Sequence, residues 1–250
     1  MFTIKGFLLL SAVVLLDAHH LPTNLHVDNR IIGGNDTTIE AAPWQISLQK
    51  QGWHICGGSI YSKNIIVTAA HCVQGESPDV LTVRVGATNN KNDGKVIRVR
   101  NYIEHEQHNQ PKFANDIAVI RLVDDIIFSA SAQPIELARK APADDASARV
   151  TGWGFTNGGI LPDILQSVDV RIVSKQSCQQ IFGGQVTGTM ICAGRPGETV
   201  CSGDSGGPLV VNGELVGVVS WAAGDCSTVG VFADVADLRN WIEEKANSLS

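Results

Sequence analysis

The chain is short of positive charge. Its 250 residues carry 19 Lys and Arg against 25 Asp and Glu, a formal net charge of −6. Nucleic acid is therefore excluded as a natural partner, because phosphate backbones are bound through basic patches. A mild acidic balance otherwise speaks only to solubility. Long apolar runs are missing too: residues 7–16 form the one near the N-terminus, and its length of about ten residues is half of the roughly twenty that a membrane-spanning helix needs. No internal repeat, low-complexity tract or block of like charge is present. Nor is the composition that of a disordered chain, since 44% of the residues are hydrophobic and 18% charged. The length suffices for one large core or two smaller ones.

At the N-terminus stand Lys5, the apolar residues 7–16 and the small residue Ala18. Together they read as a secretory signal peptide over residues 1–18, which predicts a secreted, extracellular protein with no membrane anchor. Six cysteines outside the cytosol predict three disulfides, whose pairing spacing alone leaves open. Asn35-Asp36-Thr37 is a sequon, so Asn35 is a candidate for glycosylation.

From Trp44 onward, about twelve short apolar runs follow one another, punctuated by Gly, Asn and Asp, with no helical pattern between them. That rhythm predicts an all-β protein of barrels or sandwiches. Only the last segment differs. Leu238, Trp241, Ile242 and Leu249 recur at helical spacing and predict a C-terminal helix from about Val235.

Three motifs carry chemistry. In Gly203-Asp204-Ser205-Gly206-Gly207-Pro208 the glycines permit a sharp turn and a close backbone approach to a bound atom. A serine on such a turn can act as a nucleophile while the neighbouring amides hold an anion. A serine alone is inert, however, and needs a base and a group to orient that base. Thr68-Ala69-Ala70-His71-Cys72 and Asn115-Asp116-Ile117-Ala118-Val119, each beside an apolar run, supply a histidine and a carboxylate. With these motifs in register the sequence resembles the chymotrypsin-type, trypsin-like serine endopeptidases from Ile31 to the Trp241 region.

The resemblance implies two six-stranded antiparallel Greek-key barrels with the active site in the cleft between them, plus the C-terminal helix. The N-terminal barrel is expected over about 45–127, a linker with Pro134 and Pro142 over about 128–145, the C-terminal barrel over about 146–234 and the helix over about 235–248. Ser205 becomes the nucleophile, His71 the base and Asp116 its orienting carboxylate. The backbone N–H groups of Gly203 and Ser205 become the oxyanion hole. Disulfides Cys56–Cys72, Cys178–Cys192 and Cys201–Cys226 are implied. Residues 19–30 look like an activation propeptide cut after Arg30, freeing an Ile31 amine to pair with Asp204 within the protease domain 31–250. The implied partners are protein or peptide substrates, an activating protease and protein protease inhibitors, acting on a monomer. No cofactor and no metal are expected. The loop 86–94 lacks the two glutamates through which many trypsins hold calcium.

The family pattern breaks at the specificity pocket. Trypsins carry an aspartate six residues before the nucleophile, and here that residue is Thr199. Ala222 stands where a wall glycine is usual, Gly230 keeps the other wall open, and Ser220-Trp221-Ala222 is expected to lie along the substrate backbone. An uncharged floor does not repay the desolvation of a guanidinium, so the sequence predicts apolar residues of moderate size at P1, the position just before the cut. Cleavage after Arg or Lys using Asp225 or Glu198 is the alternative. An inactive binding homologue is the remote one, and the intact triad speaks against it. His54 reads as structural. His105 and His108 are spaced like metal ligands without a third, and read as part of a solvated loop.

Overall fold

The computed structural model describes residues 33–156, 159, 161–224 and 226–249. The signal segment, the propeptide with Arg30, the Ile31 terminus and Asp225 all lie outside the described residues.

After a two-residue strand β1 (Asn35–Asp36), six strands build the first barrel. They are β2 (Gln45–Lys50), β3 (Trp53–Ser62), β4 (Ile65–Thr68), β5 (Leu81–Val85), β6 (Lys95–Glu104) and β7 (Ala118–Leu122). They close in the order β2-β3-β4-β7-β6-β5. Successive side chains in a strand point to opposite faces. In β5, accordingly, Leu81, Val83 and Val85 fill the barrel while Thr82 and Arg84 face outward.

A short strand β8 (Glu136–Leu137) lies in the connection to the second barrel. That barrel is made of β9 (Ser147–Gly152), β10 (Gln166–Val173), β11 (Met190–Ala193), β12 (Pro208–Val211), β13 (Glu214–Ala222) and β14 (Gly230–Asp234). Antiparallel pairs run from β9 to β10, β11, β14, β13 and β12, and β12 returns to β9. Val150, Val168, Val170, Ile172 and Leu209 are among its buried core. Two closed six-stranded antiparallel barrels thus stand as the sequence predicted.

Among the described residues there are two α-helices: α1 (Lys175–Phe182) and α2 (Val235–Leu249). The second begins where the apolar spacing placed it, and the Asp234 carboxylate caps it by accepting the Ala236 N–H at 3.0 Å. Val235, Leu238, Ile242 and Ala246 are buried in one cluster with the first barrel's core, which fastens the end of the chain back onto its beginning. The first helix is a correction to the reading of no helical pattern between strands. Cys178 is its only buried residue, so no apolar period announced it; the Ser174 hydroxyl starts it by accepting the Ser177 N–H.

The barrels meet through buried polar contacts. Thr151 Oγ1 donates to Gln45 Oε1 at 2.6 Å, and the Gly57 N–H donates to the Ser205 carbonyl at 2.7 Å. All three disulfides that the resemblance implied are formed: Cys56–Cys72, Cys178–Cys192 and Cys201–Cys226.

Candidate active site

His71 sits on a tight turn, Ala70–Cys72, directly after β4, and the Cys56–Cys72 disulfide ties that turn to β3. Asp116 stands two residues before β7. Because β4 and β7 pair with Thr68 opposite Ala118, strand register delivers both side chains to the same barrel rim. The result is a closed arrangement around the carboxylate. His71 Nδ1 lies 2.7 Å from Asp116 Oδ2, and the His71 backbone N–H donates to Oδ1 at 3.0 Å. The Ser220 hydroxyl donates to Oδ2 at 2.5 Å. Asp116 is only 4% exposed. Burial pushes its pKa up, yet the His71 hydrogen bond and charge, together with Ser220, hold it below the ordinary carboxylate value.

Ser205 comes from the second barrel. Its turn is pressed against the His71 segment so closely that a side chain on Gly206 would collide with Thr68 Oγ1 and the Gly57 carbonyl, at 2.2 and 2.6 Å from an added Cβ. Gly203 and Gly206 take φ of +94° and +78°, conformations that glycine alone adopts cheaply. Among the described residues no hydrogen bond joins Ser205 Oγ to His71 Nε2; such contacts tighten when substrate arrives. The N–H groups of Gly203 and Ser205 are not used by any backbone carbonyl among the described residues. His54 holds the turn from behind. Half-buried against Trp153, it bonds Ser47 Oγ at 2.8 Å and the Gly203 carbonyl at 2.9 Å, and desolvation lowers its pKa to about 4. It is structural, as the sequence predicted.

Asp204 points the other way, into the protein. It is fully buried, accepting from the Gly154 N–H at 2.9 Å and the Cys201 N–H at 3.0 Å. Burial raises its pKa to about 7, against which those two backbone donors pull downward.

Beside Ser205 opens a cavity of about 190 Å³, walled by Val200, Cys201, Ser202, Ser220, Trp221 and Ala222 among others. Thr199 and Gly230 are not on its surface. The Val200 side chain packs over Gly230, 2.6 Å from where a Cβ would stand. Thr199 is buried, with its hydroxyl unpartnered among the described residues. The slot is nonetheless walled without an acid among the described residues. Glu198 is held elsewhere, in a two-pronged pair with Arg195 at 2.6 and 2.8 Å. Asn35 is exposed at the strand edge, where β1 pairs with β10. In the loop 86–94, Asn89 and Asp93 are engaged in hydrogen bonds within the loop.

Sequence reasoning missed two features of the site. Phe113 stacks on Trp221 at 5.0 Å and Phe182 meets it edge-on at 4.8 Å, so Trp221 sits in an aromatic stack drawn from three separate segments. His108 is not in a solvated loop; its side chain is 9% exposed and its Nε2 lies 3.5 Å from Asp116 Oδ1. No local pattern announced either. One group of potential metal ligands, Cys56, His71 and Cys72, gathers at the site, but both sulfurs are already joined to each other.

The family model described as Trypsin matches residues 31–242. "Trypsin alpha" of Drosophila melanogaster is 50% identical, with 98% of this chain and 100% of that protein aligned. "Trypsin alpha-4" of Lucilia cuprina is 48% identical over 89% of this chain and 90% of its own length. Among solved structures, neuropsin, described as a serine protease expressed in the limbic system of mouse brain, superposes with a TM-score of 0.80 at 30% identity. That match covers 85% of this chain and 98% of neuropsin. A match so complete, over two barrels whose rims gather a histidine, a buried aspartate and a serine, means that this chain belongs to the trypsin family and is a serine-type endopeptidase.

Proposed function

We propose that Ser205, His71 and Asp116 are the catalytic triad. Ser205 Oγ attacks the scissile carbonyl while His71 Nε2 takes its proton; Asp116 fixes the ring through Nδ1 and stabilises the imidazolium that forms. The free N–H groups of Gly203 and Ser205 receive the oxyanion, each such donor being worth ~3–4 kcal/mol in the transition state. His71 then protonates the leaving amine, and water releases the acyl-enzyme by the reverse route. The bond from His71 to Asp116 is the observation that carries this reading.

The enzyme is secreted as a zymogen in this proposal, and Asp204 is what supports it. A fully buried carboxylate with two backbone donors has no cation beside it among the described residues, and a cut after Arg30 by an activating protease supplies one at Ile31. Before the cut, Asp204 resists burial as an anion and the Ser205 turn is unsupported. The processed protein acts outside the cell as a monomer, on protein and peptide substrates and subject to protein protease inhibitors, with Asn35 open to glycosylation.

On the P1 residue, the shared name trypsin of the relatives favours cleavage after Arg or Lys over the apolar preference predicted first. With Glu198 bound to Arg195, Asp225 is the acid that this reading uses. The apolar reading remains second, carried by a slot walled by Val200 and Ala222 with no acid among its described lining. One experiment addresses both the triad and the slot. The protein cut after Arg30 is given peptide anilides ending in Arg, Phe, Leu and Ala, with Ser205→Ala as control. Hydrolysis is expected in the parent and to vanish in the control; a control that retains turnover or fluorophosphonate labelling ends the triad assignment. A kcat/KM at least about tenfold higher for Arg than for Phe supports the first reading, and the reverse order establishes the second.

A further inference from the structure

Asp116 is approached by a second imidazole. Its Oδ2 receives His71 Nδ1 and the Ser220 hydroxyl, and its Oδ1 receives the His71 backbone N–H. On the flank of Oδ1, 3.5 Å away, stands His108 Nε2. The other ring nitrogen of His108, Nδ1, is buried without a hydrogen-bond partner among the described residues and lies 4.0 Å from Glu104 Oε2 at the end of β6. The ring is thus enclosed between two carboxylates, with its side chain 9% exposed.

The chain builds this placement. The His108 N–H donates to the His105 carbonyl at 2.8 Å, and Asn115 Nδ2 donates to the Gln107 carbonyl at 3.1 Å. Asn109, Phe113 and Asn115 all hold positive φ, of 63°, 67° and 54°. Three such residues that are not glycine, within one short loop, store backbone strain that surrounding contacts must overcome. The loop between β6 and β7 is folded tightly enough to turn the His108 ring inward onto Asp116.

We propose that His108 is a positioning residue for the reaction, tuning through Asp116 how readily His71 takes up a proton. The inference rests on the triad reading above. A proton on His108 places positive charge on the same carboxylate that stabilises the His71 imidazolium. Two cations then share one anion, so protonation of His71 is postponed to lower pH and the general base survives further into acid. The groups facing His108 are Asp116, Glu104 and, one turn away, His105. His105 lies on Trp241, 4.8 Å between ring centres, near the Glu106–Lys245 pair.

The sign of the effect makes the test specific. His108→Gln keeps a polar side chain of similar reach and loses the charge. The acid limb of the kcat/KM profile of the processed enzyme, read on its best anilide, is expected to move upward by about 0.5–1 pH unit. At pH 5.5 that shift is roughly a three- to tenfold loss, with little change near pH 8 in the ratio of variant to parent. A merely structural role would lower activity at all pH values by one factor without moving the limb, and that outcome overturns the proposal. If the Gln variant does not fold, the parent protein decides by NMR titration of its histidine ring protons. A His71 signal with two inflections, the second coinciding with His108, supports the coupling; a single His71 step independent of His108 overturns it. A parent enzyme without activity or Ser205 labelling would instead mean that the triad reading has failed.

Discussion

Asp116 and Asp204 are two buried carboxylates on opposite walls of one cleft, and their surroundings drive them in opposite directions. Both are hidden from water, Asp116 at 4% exposure and Asp204 at 0%. Asp116 is met by a histidine ring, a backbone N–H and a hydroxyl, and its pKa falls below the ordinary value. Among the described residues Asp204 is met by two backbone N–H groups, and burial carries it to about 7. Burial alone penalises a charge; what decides the outcome is whether a partner of opposite charge reaches it. The Asp116 wall is complete among the described residues, with His71 from its own barrel and Ser220 from the other. The Asp204 wall, on the proposed activation, waits for an amine made by cutting the chain.

The sharpest way to break this comparison is Asp116→Asn. The amide no longer fixes the His71 tautomer, and kcat is expected to fall about 10⁴-fold at neutral pH, a magnitude carried over from the family's own enzymes. Measured kcat within tenfold of the parent would show that Asp116 does not orient the base. Asp204→Asn tests the other wall and has opposite signs in the two forms of the protein. In the cut form it removes the partner of the Ile31 amine and is expected to cost ~3–5 kcal/mol of stability along with most activity.

In the uncut form the same change is expected to stabilise. A carboxylic acid whose folded pKa is raised from 3.8 to about 7 is favoured when neutral. Its folding stability is therefore greatest below pH 3.8 and declines as pH climbs towards 7, by roughly 4 kcal/mol in all. Denaturant unfolding of the uncut protein at pH 4 and pH 7.5 reads this directly. Asn at position 204 is expected to flatten the decline. An uncut parent equally stable at both values would mean that Asp204 already has a cationic partner. The smallest expected effect is Ser220→Ala, which takes one of the donors from Asp116. A loss of kcat of about tenfold is expected, from a charged hydrogen bond worth ~1.5–3 kcal/mol, and no change at all would assign the Asp116 state to His71 alone.

Much of this was legible in the sequence. The glycines around Ser205, the cysteine after His71 and the run after Asp116 are local, and each motif states its chemistry within six residues. The C-terminal helix showed itself through Leu238, Trp241 and Ile242, because a helix of about four turns repeats its apolar face. The helix at Lys175–Phe182 did not, since it buries a single cysteine. The lining of the cavity beside Ser205 was less legible. Counting back from Ser205 reaches Thr199, whereas the chain's path sets Val200 against Gly230 and on the cavity wall. Glu198 looked free to enter the pocket until its bond to Arg195 was seen.

By itself the sequence determined the kinds of group available and their order: a histidine, an aspartate and a nucleophilic serine, on short strands that must close into barrels to cover their apolar faces. Only the tertiary structure decided which of them meet. Strand register set Thr68 against Ala118 and so brought His71 to Asp116, and the fold of the loop between β6 and β7 put His108 beside the same carboxylate. The reason is that contact across a barrel depends on pairings between segments tens of residues apart, which no local pattern encodes, while charge and protonation in a buried site depend on those contacts and on the burial they create.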